Sequence, residues 1–96
     1  MKKLLPYFFK EITPDYIEDI KGNLESFETL IKVQDFKKIK EEFHKLAGSG
    51  TSYGLNEVSD IAHQIEARAI NKECSQDLFS DFKVFINSVD ITYRGD

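Results

Sequence analysis

The residues best suited to chemistry lie in one run, Phe43-His44-Lys45-Leu46-Ala47-Gly48-Ser49-Gly50-Thr51-Ser52-Tyr53-Gly54-Leu55. Phe36, Ile39, Phe43 and Leu46 fall at the i, i+3, i+7 and i+10 positions of a core-facing helical stripe. At about 100° per residue, His44 then stands about 130° from the centre of that stripe and points to water. Gly48 follows one turn later on the same outer face, with Ala47 and Thr51 close by. A glycine inside a helix costs about 1 kcal/mol relative to alanine, so a sequence that keeps one beside an exposed imidazole leaves room for something large to approach. Lys37 and Lys40 lie on that side in the preceding turns, and Lys45 is one residue on. They give the patch a local positive charge suited to an anion such as a phosphoryl group. The chemistry these types and spacings point to is attack by an imidazole nitrogen.

A reactive imidazole needs its tautomer held, and Glu66 is the residue placed to hold it. In a helical hairpin turning near Leu55, residues equally far from the turn stand at the same level. His44 and Glu66 are each eleven positions from Leu55. Glu66 sits about 70° off the apolar stripe of its own helix, on the flank from which it can accept a hydrogen bond from Nδ1–H of His44. That bond would leave the Nε2 lone pair outward. His63 also lies off its stripe but has no glycine one turn on, and it reads as a solvated surface histidine. Neither histidine has a Cys, Asp, Glu or His four residues away, so no metal site is expected.

The elements that must position these groups are four amphipathic helices. Thr13-Pro14-Asp15 opens the first, about 14–33, with a capping hydroxyl, a proline and an acid in the first turn. Ile17, Ile20, Leu24, Phe27 and Ile31 form its stripe, and Gly22 within it reads as a close helix–helix approach. Asp35 caps the second helix, about 36–53, which Gly54 ends. Leu55, Val58, Ala62, Ile65 and Ala69 mark the third, about 55–71. Leu78, Phe79, Phe82, Phe85, Ile86 and Val89 give the fourth, about 76–91, a broad apolar face. Segment 2–10 is read as a short helix or extended lid across one end, and the tail from Thr92 as frayed. No strand-like alternation is read anywhere in the chain. Short connectors between such helices specify an all-α antiparallel up-down four-helix bundle, one domain over 1–96. Most of the eight phenylalanines then fill its core.

The run around His44 resembles the histidine-containing phosphotransfer domain of two-component phosphorelays. That family's usual pattern is His-x-Leu-Lys-Gly on a helix, a few small residues, Gly-Leu opening a second helix, and a Leu/Ile-Glu or Gln pair further on. Here the matching residues are His44-Lys45-Leu46-Ala47-Gly48, Gly54-Leu55 and Ile65-Glu66, and the likeness covers roughly 14–90. It implies that His44 is a phosphoacceptor and that Glu66 orients its ring. Many members carry a lysine where this chain has Ala47, so a phosphate-steadying charge falls to Lys45 or Lys40. The resemblance also implies a docking surface of Lys40, Glu41, Ala47, Gly48 and Thr51 for response-regulator receiver domains and a sensor or hybrid histidine kinase. Mg²⁺ is expected on the partner receiver, with no cofactor on this chain, which acts as a carrier and not as a turnover enzyme.

Composition narrows the alternatives. A formal net charge of −4 and a pI near 5.2 argue against general nucleic-acid binding, which calls for a basic face. The single Cys74 cannot form an internal disulfide, so a reducing, cytoplasmic setting is expected. The opening Met1-Lys2-Lys3-Leu4-Leu5-Pro6 has too short an apolar run for a signal peptide, and no stretch reaches the roughly 20 apolar residues of a membrane span. A monomer is expected. The rival readings are a helical docking or inhibitor module that is never phosphorylated, and an adaptor that self-associates or binds membranes through its aromatic N-terminus.

Overall fold

Thr13–Val33 (α1), Phe36–Ser49 (α2), Asn56–Ile70 (α3) and Gln76–Ser88 (α4) are helical in the computed structural model, which describes residues 1–95. Among the four, α2 alone has a side-chain cap at its start. The backbone turns after α1 at Gln34 in the left-handed region, φ 55°, and Asp35 Oδ1 accepts the Lys38 N–H at 3.3 Å to cap α2. Thr13 does not cap α1 as expected. Its buried hydroxyl donates to the Tyr53 carbonyl at 2.7 Å, and this ties the start of α1 to the α2–α3 turn.

That turn governs the site. A 3₁₀ turn, Thr51–Tyr53, follows α2, and Gly54 at φ 79° reverses the chain into α3. A Cβ on Gly50 would lie 2.7 Å from the Ser59 nitrogen and 2.9 Å from the Leu55 carbonyl oxygen, so glycine lets the end of α2 press against the start of α3. Ser59 Oγ accepts hydrogen bonds from the Thr51 N–H at 2.8 Å and the Thr51 hydroxyl at 3.1 Å. Gly22, in contrast, is exposed with open space around it, so it marks no close helix approach.

The core is aromatic at its centre. Phe43 is fully buried, with ring centroids 5.2 Å from Phe27, 5.6 Å from Phe82 and 6.4 Å from Phe79. Losing such a side chain costs about 3–5 kcal/mol, so Phe43 sets the rotational phase of α2 and thereby aims the next residue, His44, outward. The Glu28 carboxylate on α1 accepts a 2.6 Å hydrogen bond from Lys83 on α4, and Arg68 on α3 donates at 2.6 Å to Asp77 on α4.

The two ends of the described chain differ from expectation. Lys2–Pro6 (β1) and Asp90–Arg94 (β2) are strands that pair in parallel, with Leu4 opposite Thr92. The tail is therefore ordered, and α4 stops at Ser88. Val89, Ile91 and Tyr93 alternate with Asp90 and Thr92, and the first two pack on the core while Tyr93 is half-buried. Leu5 is buried against Gly54, and Lys3 pairs with Glu57 on α3 at 3.1 Å. The expected N-terminal lid is thus a strand followed by a 3₁₀ turn, Tyr7–Glu11, fastened across the α2–α3 end of the bundle.

Candidate functional site

His44 projects from α2 with its side chain 75 % exposed, while Glu66 on α3 faces it with a side chain only 14 % exposed. His44 Nδ1 and Glu66 Oε2 are 2.7 Å apart. An ionised carboxylate only accepts hydrogen bonds, so the proton of this contact sits on Nδ1. Nε2 is left free and turned to solvent. The equal spacing of both residues from Leu55 therefore does put them at one level.

Two shallow hollows flank the imidazole. One is bounded by Ala47, Gly48, His63 and Glu66. The other is bounded by Lys40, Glu41, Glu66 and Ile70. Gly48 has nothing within 4 Å of where a Cβ would stand. No contact inside the chain requires glycine there.

The structure gathers His44, Glu66, Lys40, Glu41, Ala47 and Gly48 around the imidazole and sets two other residues apart. Lys45 pairs with Glu42 at 3.6 Å and lines the groove between α1 and α2 with Tyr16, Asp19 and Asn23. Thr51 is bound to Ser59 in the turn and borders neither hollow. Lys40 thus shares a hollow with His44, and Lys45 does not border it.

Two neighbours were not anticipated. Ile70 is 60 % exposed, an apolar side chain one turn beyond Glu66 on the same flank of α3, and it also borders a groove with Phe36 and Lys72. Its i+4 relation to Glu66 is the signal that could have found it. His63 sits one turn before Glu66, with Nδ1 3.9 Å from the second carboxylate oxygen. It is exposed, as expected, but it borders the site. Among the described residues no three His, Cys, Asp or Glu side chains cluster as metal ligands. No helix among them is long and apolar enough to cross a membrane.

The sequence matches the Hpt domain family over residues 9–90 of 96, and the chain belongs to that family. Membership places it in histidine phosphotransfer within two-component phosphorelays. No curated protein and no solved structure matches the chain.

Proposed function

We propose that the chain is a phosphoryl carrier in which His44 Nε2 takes the group from the aspartyl phosphate of a receiver domain, or from a kinase, and passes it to the aspartate of another receiver. The 2.7 Å bond between His44 Nδ1 and Glu66, made on an imidazole that is otherwise open to solvent, carries this reading. With Nδ1 protonated, the Nε2 lone pair is available for in-line attack on phosphorus. The new N–P bond forms as the bond from phosphorus to the aspartyl oxygen breaks, and the carboxylate leaves. The ring becomes cationic as it bonds to phosphorus, and the Glu66 carboxylate offsets that charge through Nδ1–H.

Lys40 supplies positive potential where the phosphoryl group arrives. Ala47 and Gly48 keep the approach clear, and Glu41 and Ile70 extend the docking face around it. Lys45, held by Glu42 on the α1 side, contributes at longer range. Mg²⁺ belongs to the receiver partner, and no residue here is assigned to it. Phosphohistidine is a carrier state, so the chain does not turn over a substrate alone. Its setting is the cytoplasm, where receivers and kinase catalytic domains meet it.

The test is phosphoryl transfer from a phosphorylated receiver to the purified chain, wild type against His44→Gln, scoring acid-labile, base-stable label. Label in the wild type alone supports the carrier. Binding of a receiver without label in either protein supports a docking module instead.

A further inference from the structure

We infer that the outer edge of β2 is a self-association surface, whose partner is the same edge of a second copy of this chain related by a two-fold axis. The sheet has two strands only, so β2 has an edge with no strand beside it among the described residues. Unpaired strand edges are templates for another strand.

The hydrogen-bond phase of β2 is known from its first residue. Asp90 N–H donates to the Met1 carbonyl at 2.7 Å, so Asp90, Thr92 and Arg94 direct their backbone groups at β1. Ile91 and Tyr93 consequently direct theirs to the outer edge. In an antiparallel pair with Thr92 opposite the partner's Thr92, Ile91 faces the partner's Tyr93, and Tyr93 faces the partner's Ile91. Both are positions that exchange N–H···O bonds, so every outward backbone group of Ile91 and Tyr93 is paired in this register.

The same register matches the side chains. Asp90, Thr92 and Arg94 are exposed on the outer face of the sheet. Asp90 falls opposite the partner's Arg94, and Arg94 opposite the partner's Asp90, so two opposite-charge pairs flank a central Thr–Thr pair. On the inner face, half-buried Ile91 and Tyr93 form β-branched–aromatic pairs. All three pair types are favourable across antiparallel strands, and a two-fold contact requires this self-complementarity. The outer edge of β1 cannot do the same, because Pro6 has no N–H and Lys2 would oppose it.

Sedimentation velocity over a concentration series tests this independently of phosphoryl transfer. Wild type is expected to show a monomer–dimer equilibrium. Arg94→Asp places two acids opposite Asp90 residues, Asp90→Arg places two bases opposite Arg94 residues, and each change weakens dimerisation by roughly tenfold or more. An equimolar mixture of the two variants restores opposite charges at both positions and regains dimer as a heterodimer, which also shows that each variant is folded. Wild type that stays monomeric up to millimolar loading overturns the inference. So does a dimer indifferent to both substitutions, or a mixture that gains nothing over its components.

Discussion

Removing the Glu66 carboxylate is the sharpest perturbation of the proposed chemistry. The bond it makes to His44 Nδ1 is 2.7 Å long and involves a charged acceptor. Such bonds contribute about 1.5–3 kcal/mol. The imidazole is 75 % exposed, so water competes for Nδ1–H and the lower end of that range applies. The ring gains positive charge as Nε2 bonds to phosphorus, so the interaction strengthens towards the transition state and its loss falls on the rate. About 1.4 kcal/mol is tenfold, and Glu66→Ala is therefore expected to slow transfer by about tenfold. Glu66→Gln keeps an acceptor for Nδ1–H but loses the charge, and is expected to slow transfer by about threefold. The assay is single-turnover transfer from a phosphorylated receiver at saturating chain, with receiver affinity measured separately so that docking and chemistry are not confused. Transfer by Glu66→Ala within about twofold of wild type, at unchanged affinity, would refute the orienting role.

Four further outcomes follow from particular residues. Gly48→Ala should stabilise the fold by about 0.5–1 kcal/mol in thermal or urea unfolding, since α2 gains propensity and nothing obstructs a Cβ. Gly48→Leu should fold equally well yet bind a receiver more weakly, and unimpaired binding would mean the cleared ground is not used. Lys40→Ala should slow transfer at low ionic strength by about two- to fivefold, whereas Lys45→Ala changes it less, and the reverse order would contradict the placement of Lys40 beside His44. Stability should also fall in acid. Hydrogen bonding and charge from Lys83 hold the Glu28 carboxyl below its ordinary 4.5, and the Arg68 hydrogen bond holds Asp77 below its ordinary 3.8. These pairs stabilise fully above about pH 4.5 and less as pH falls through the lowered values, so urea midpoints should drop below that pH and drop less in Lys83→Met.

How much was legible in the sequence depends on which regularity applied. An α-helix fixes the angle between residues and a short turn fixes the level of its two arms, so the His44–Glu66 pair could be placed by counting. The same angle explains why Lys45 failed to join it. Consecutive helical residues diverge by about 100°, which carries Lys45 round towards α1, whereas Lys40, four positions before His44, returns to its face. Thr51 lies where α2 has given way to a 3₁₀ turn, and the helical count no longer holds. The strand pair was harder because β1 and β2 come from opposite ends of the chain and each needs the other to exist. The period-2 signal of Val89, Ile91 and Tyr93 was present, but it continues the broad apolar face of α4 and reads as more helix. Thr13 looked like a cap because its type suits one. Only the fold brings Tyr53 close enough to take its hydroxyl instead.

The most direct measurement is ³¹P and ¹⁵N NMR of the chain after phosphorylation by a phosphorylated receiver, with imidazole-labelled histidine. The predicted result is one phosphohistidine, at His44, with phosphorus on Nε2 and Nδ1 still protonated towards Glu66. Phosphorus on His44 Nδ1, on His63, or on no histidine at all would contradict the account.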